Sequence, residues 1–409
     1  MGTEGYSPGL LRKAVRQSAC AASFREASDD LAALAELSIS PSHLRRLSER
    51  VGSEWRDARD AEVQEYREHR LPRDYAGPPA VAAVMLDGGR YQSRAEGAGR
   101  GVTDPGWKEI KVACCQTYAA REHRSDPQPD PPAKFVDRQE VARLAAEIKG
   151  HTGPAAGPPA PAVPRQPRRS RGKRRRASRR LVRTVVATTR DVEAFGWQVA
   201  AEVHRRGLDC AKRKACLADG SHALWGLFEL HLVAAGFIGI LDFVHLLVHL
   251  YAAAGAAEGR GSDAAWGSYV EWIGLAWAGQ VVALLAALRV VQDRLGEPPR
   301  GAKEDDPRRV VAETIGYVRN NRERMDYPSY RRRGLPISSA PVESTIKRMN
   351  RRIKGSEKFW LTGGAEAVAQ VRAAYLSEDD RVDRYWARPR RGRAVGSGRL
   401  GRPPAKAVL

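Results

Sequence analysis

Residues 81–89 read VAAVMLDGG, six apolar residues closed by Asp87, Gly88 and Gly89. A run of that length without polar alternation suits a strand buried on both faces, and Asp-Gly-Gly after it reads as the turn that ends the strand. Downstream, residues 107–118 (WKEIKVACCQTY) alternate like a paired strand, so the two segments predict a β-hairpin-like start to a sheet. A third candidate strand covers residues 182–188. Helical periodicity follows over 191–206, then strand-like 215–218 ending at Asp219, a helix near 221–232, and the apolar run 237–241 leading to Asp242.

Three strands, a helix, a strand and a helix are the element order of an RNase H-like core, in which the first and fourth strands lie side by side. Asp87 and Asp219 would then end neighbouring strands. Close carboxylates repel unless cations lie between them, and hard oxygen ligands select Mg²⁺ or Mn²⁺. A third acid is expected from a late helix, and residues 341–354 (PVESTIKRMNRRIK) supply Glu343. In that segment Val342, Ile346, Met349 and Ile353 step by 4, 3 and 4 residues, which marks a buried stripe. Glu343, Lys347, Asn350 and Lys354 step identically as a polar stripe, where a carboxylate can hold metal while the other three reach backbone phosphates.

Outside this core the reading is coarser. Residues 23–52 suggest two helices and a tight turn, the first opened by a Ser23–Glu26 capping box and lined by Leu31, Leu34 and Leu37. The second, opened by Ser40 and Pro41, carries Arg45, Arg46 and Arg50 opposite Leu44, Leu47 and Val51, a pattern that suits a helix-turn-helix reading DNA and equally any amphipathic pair. Residues 126–180 are rich in Pro and Arg, apart from a short helical pattern at 138–149. Ten of the sixteen residues from 165 to 180 are basic, Arg174, Arg175 and Arg176 among them, which predicts a solvated arm with salt-sensitive DNA affinity. Helices are expected at 243–257, 265–295 and 307–325.

The predicted class is α/β: an RNase H-like core with an all-helical insertion, an N-terminal helix-turn-helix-like module and disordered basic segments. The division is a helical DNA-binding region at 1–75, first core strands at 76–125, a disordered basic insert at 126–180 and the continued core at 181–257. A helical insertion at 258–330, final core helices at 331–386 and a disordered basic tail at 387–409 complete it.

Lys and Arg number 69 against 48 acidic residues, and the net charge of +21 makes nucleic acid the leading partner over an anionic membrane. The N-terminus lacks the apolar core of a signal peptide, so a cytoplasmic, nucleoid-associated protein is expected. The apolar stretches 232–241 and 273–288 are shorter than the ~18–20 residues a span needs. Five cysteines, at 20, 114, 115, 210 and 216, have no zinc-site spacing.

At these residues the chain resembles bacterial insertion-sequence transposases of the DDE type, in the Mutator-like group with a helical insertion and an Asp-x-x-His motif. The matching segments are VMLDGGRYQSR, PGWKEIKVACCQTY, LADGSHALWGL, ILDFVHLLVHLYAAAGA and MDYPSYRRRGLPISSAPVESTIKRMNRRIKGSEKFW with EAVAQVRAAYLS. The resemblance implies catalytic, metal-holding acids at Asp87, Asp219 and Glu343, with Asp242 and His245 as the Asp-x-x-His pair. Asp242 is the alternative second acid. It also implies two Mg²⁺ ions, with Mn²⁺ the other cation such a site accepts, cleavage at element ends with strand transfer into target DNA, and a homo-oligomer assembled on paired ends. A transposase-derived binding protein without catalysis and an RNase H-like nuclease acting on branched DNA are the competing classes.

Overall fold

The computed structural model describes residues 6–94, 106–152, 178–354 and 358–388. Arg174, Arg175 and Arg176 lie outside the described residues, as does most of the segment expected to be an arm.

Three serines open the first three helices. Ser7, Ser23 and Ser40 each accept a backbone N–H at the start of α1 (Pro8–Cys20), α2 (Phe24–Ala35) and α3 (Pro41–Arg67). The Ser23–Glu26 cap forms, with Glu26 N donating to Ser23 Oγ at 3.0 Å and the Glu26 carboxylate accepting from Ala22 N at 2.6 Å. α1 has no counterpart in the sequence reading, and α3 continues well past residue 52. The expected Leu31–Leu34–Leu37 face does not form. Leu31 is buried and Leu37, beyond the helix end at Ala35, packs against the N-terminal core, but Leu34 is 84% exposed.

The sheet is built from β1 (Val81–Ser93), β2 (Gly106–Ala120), β3 (Ser178–Thr188), β4 (Arg213–Ala218), β5 (Ile238–Leu241) and the short β6 (Phe359–Trp360). Among the described residues it has six strands, ordered β3-β2-β1-β4-β5, with β6 pairing the far end of β1. β2 runs antiparallel to both β1 and β3, whereas β4 and β5 join parallel to β1. The first and fourth strands are therefore neighbours, as the sequence predicts. Asp87 does not end its strand. β2 is long enough to pair β1 from Val81 to Ser93, and Gly88 and Gly89 are absorbed into that ladder instead of turning out of it.

Helices cover both faces of the sheet. α4 (Arg138–Thr152), α7 (Phe243–Glu258) and α12 (Ala340–Ile353) gather on the Cys114 side, where α12 packs on β1 and β2 and Cys114 Sγ lies 3.2 Å from Thr345 Oγ1. α5 (Val192–Arg205) packs on β2 and β3, and α6 (His222–His231) follows β4. Cys115 is buried like its neighbour, as side chains alternating across a strand require. α13 (Thr362–Leu376) runs along the edge strand and satisfies its outer groups: Ser377 Oγ accepts from Val185 N at 3.0 Å and Gln370 Nε2 donates to Ala187 O at 2.6 Å. α14 (Arg381–Ala387) ends the described chain.

Two segments depart from expectation. Residues 126–152 are not a disordered insert: Phe135, Val141 and Ala145 are buried in the main core, and the Phe135 ring lies 5.4 Å from Phe243. The Arg331 guanidinium pairs with Asp126 and Tyr269 Oη donates to Phe135 O at 2.8 Å, so distant helices anchor what looked in sequence like polar linker. The expected helix at 265–295 is two, α8 (Asp263–Trp277) and α9 (Val281–Leu295), because Gly279 takes a φ of +70° between them. α10 (Pro307–Asn321) and the short α11 (Tyr327–Arg332) complete this part. Tyr269, Trp272 and Val318 share one continuous core with the sheet, so α8–α10 are not a detached insertion.

The N-terminal helices have their own smaller core, which includes Val371 of α13. α3 lies so close to α13 that a Cβ on Gly52 would sit 2.1 Å from Ala367 O. No helix among the described residues is long and apolar enough to cross a membrane. Residues 232–241 contain β5, and 273–288 straddle the α8–α9 break.

Candidate active site

β-Strand register brings the acids together. The β1–β4 ladder ends at Met85↔Leu217, and two positions further on the same diagonal stand Asp87 and Asp219. The β4–β5 ladder ends at Ala218↔Leu241, and one position on stand Asp219 and Asp242. Three aspartates thus line up across three adjacent parallel strands.

Glu343 reaches the same place from above the sheet. Its helix presents the expected stripe, with Val342, Ile346, Met349 and Ile353 all buried. Gly89 permits the close approach: a Cβ there would lie 3.0 Å from Asn350 Oδ1 and 3.5 Å from Ile346 Cγ2. That Asn350 oxygen is buried and accepts no hydrogen bond.

Asp87, Asp219, Glu343 and His245 line one cavity of about 290 Å³, together with Glu147, His249 and Lys347. A second cavity, of about 180 Å³, shares Asp87, Gly88 and Asp219 and adds Arg90, Lys111 and Ser221. The two acids therefore stand on a wall open to both sides.

Asp242 plays a different part. It is fully buried, and its oxygens accept from Val244 N at 3.4 Å, His245 N at 3.3 Å, Ser339 N at 2.8 Å and His245 Nδ1 at 2.5 Å. It caps α7, fixes the imidazole and ties down the residue preceding α12. Oxygens of Asp242 and Glu343 and a nitrogen of His245 fall within 4.8 Å of one another, close enough to share an ion. Among the described residues no such grouping includes Asp87 or Asp219; the four hydrogen bonds make Asp242 the carboxylate that orients His245.

The charges respond to this crowding. Burial pushes the Asp87 carboxyl up to about 7, with the charges of Asp219 and Glu343 adding to the shift and those of His245 and the Gly88 N–H opposing it. Burial also raises Glu343, reinforced by Asp242 and countered by His245 and Lys347. Burial alone would lower His245, but the hydrogen bond and charge of Asp242, with Asp87 and Asp219, lift it to about 10. Burial alone would raise Asp242, yet His245 and the Ser339 N–H hold it below the usual carboxylate range. The His245 imidazolium therefore stands between an ionised Asp242 and two carboxyls, Asp87 and Glu343, that ionise reluctantly.

The remaining expected DNA contacts are dispersed. Lys347 is paired with Glu147 of α4 at 2.8 Å, and Lys354 is half-buried at the end of α12. Arg45 and Arg46 are exposed on α3, where Arg45 bridges to Glu49 at 3.5 Å and Arg46 contacts His43 at 3.1 Å; Arg50 is partly buried. Sequence reasoning missed Glu147 and His249. The helical pattern at 138–149 was the available signal for Glu147, and the spacing of four from His245 was that for His249.

No family model matches the chain, and a search among curated proteins finds no similar one.

Proposed function

We propose that this chain is a DNA transposase of the DDE type on an RNase H-like core, with Asp87, Asp219 and Glu343 as its catalytic acids. The observation that carries the reading is the convergence of these three carboxylates, from β1, the end of β4 and α12, on one cavity. Three antiparallel strands joined by two parallel ones, with the first and fourth adjacent, support the core assignment.

The donor set suits hard divalent cations. Asp87 and Glu343 are held above their ordinary values chiefly by burial, with neighbouring acids adding to the shift, so a bound cation would relieve the cost of ionising them. Asp87, Asp219 and Glu343 would together hold two divalent cations, Mg²⁺ or Mn²⁺. Bound there, such ions supply a Lewis acid at the scissile phosphate and an activated attacking oxygen. Asp242 keeps His245 charged and aimed at the acids, so Asp219, not Asp242, is the second acid in this proposal. Lys347, paired with Glu147 at the cavity wall, and the Asn350 amide nitrogen are the proposed donors to backbone phosphates next to the acids. The net charge of +21 supplies long-range attraction for element ends and target, and Arg45, Arg46 and Arg50 on α3 are the proposed end-reading group of a helix-turn-helix. Assembly as a homo-oligomer on paired ends belongs to the same proposal.

Purified protein with Mg²⁺ and DNA carrying the element ends is expected to nick the ends and join them to a second duplex. Asp87→Asn and Glu343→Gln should each lose both steps while retaining end binding. Full activity in either variant would reject the assignment. Cutting of branched DNA without joining would give the same acids to a structure-directed nuclease instead.

A further inference from the structure

Asp219 stands just beyond the last β4–β5 pair, and its carboxylate is tied only on one side, where Oδ1 accepts from Ser221 N at 2.9 Å. A strand end so placed needs something else to fix it. The support comes from α10, a helix that the sequence gives no reason to associate with the acids. Tyr317 Oη donates to the Asp219 backbone carbonyl at 2.7 Å.

The next residue is shaped around the same ring. Gly220 has a φ of +101°, and a Cβ there would lie 2.5 Å from Tyr317 Cε2. Only glycine accepts both that backbone conformation and that approach. One turn along α10, Asn321 Nδ2 donates to Tyr317 O at 2.9 Å while its Oδ1 accepts from Trp225 Nε1 at 2.8 Å, which ties α6 to α10. The Tyr317 ring stacks on His249, with centroids 4.0 Å apart and planes 22° apart. His249 lines the acid cavity beside Asp219. The segment carrying the second acid is thus gripped by a single tyrosine at its carbonyl and at the following glycine.

We infer that Tyr317 is a positioning residue for Asp219, holding the strand end and the His249 wall so that this carboxylate meets Asp87 and Glu343 at the divalent-cation site. The inference rests on the proposed role of Asp219.

The test uses full-length protein and two variants, Tyr317→Phe, which deletes only the hydroxyl, and Tyr317→Ala, which also removes the stack. Two readouts are taken: amide hydrogen exchange over residues 218–223 without metal, and Mn²⁺ affinity from the spin-resonance signal of the free ion. A hydrogen bond worth ~1 kcal/mol corresponds to about a fivefold change. Tyr317→Phe is therefore expected to exchange about fivefold faster over 218–223, with the β1–β2 ladder unchanged, and to bind Mn²⁺ about fivefold more weakly while its melting temperature falls by only about 1–2 °C. Tyr317→Ala should exceed it in both. Wild-type exchange and Mn²⁺ affinity in Tyr317→Phe would overturn the inference, as would faster exchange with undiminished Mn²⁺ affinity. Asp219→Asn separates this failure from that of the underlying reading: if it binds Mn²⁺ as the wild type does, Asp219 is not a metal-holding acid and the positioning role falls with it.

Discussion

Asp87→Asn should make the metal-free protein more stable at neutral pH while it destroys the proposed activity. In the fold the Asp87 carboxyl titrates at about 7, against 3.8 for an ordinary aspartate, chiefly because burial penalises its charge. For an acid raised in this way the native state holds its proton longer than the unfolded chain does. Stability therefore falls as pH rises from about 4 to about 7 and levels off above that. A shift of about three units at 1.36 kcal/mol each sets an upper bound of ~4 kcal/mol. The attraction between ionised Asp87 and the His245 imidazolium is already contained in that shift; relaxation and water entry around a buried charge reduce the bound, and we expect a net gain of ~2 kcal/mol for the neutral amide at pH 8. Asn keeps the oxygen that accepts from Gly88 N at 2.6 Å, so the strand should not be disturbed. Urea unfolding in chelator at pH 4, 6 and 8 measures the effect. The midpoint difference between variant and wild type should grow across this series at constant slope. A variant no more stable than wild type at pH 8, or one with the same advantage at all three values, would refute the electrostatic reasoning.

Three further expectations follow from named contacts. Asp242→Asn leaves the His245 charge buried without its partner and should cost about 3–5 kcal/mol, measurable by chemical unfolding. His245, lifted to about 10, contributes stability that is complete below its ordinary 6.5 and lost as pH rises towards 10, so metal-free protein should weaken over that window and His245→Gln should flatten the profile. Gly52→Ala should separate α3 from α13 and cost ~1–3 kcal/mol, whereas Gly226→Ala, within α6 with nothing within 4 Å of the new methyl, should gain ~0.5–1 kcal/mol, both read from melting curves.

The sequence by itself determined the local elements and which of their faces are buried. The strand cores around 81–86 and 215–218, the Ser23 and Ser40 caps, and the 4-3-4 stripe of Val342, Ile346, Met349 and Ile353 were legible because period and capping chemistry act within a few residues. Asp87, Asp219 and Glu343 were legible as candidates for the same reason, each marking a recognisable place on an element. Only the tertiary structure decided how those elements meet. It set the β1–β4 register that aligns Asp87 with Asp219, the Gly89 gap that admits α12, the burial that makes Asp242 a partner of His245, and the grip of Tyr317 on Asp219. Residues 126–152 show the limit most clearly. Their own apolar content is too sparse to announce a folded segment, and they are ordered by Phe243, Tyr269 and Arg331, more than a hundred positions away along the chain. A periodicity reports which face of an element is apolar; it carries no information about which distant side chains will cover that face.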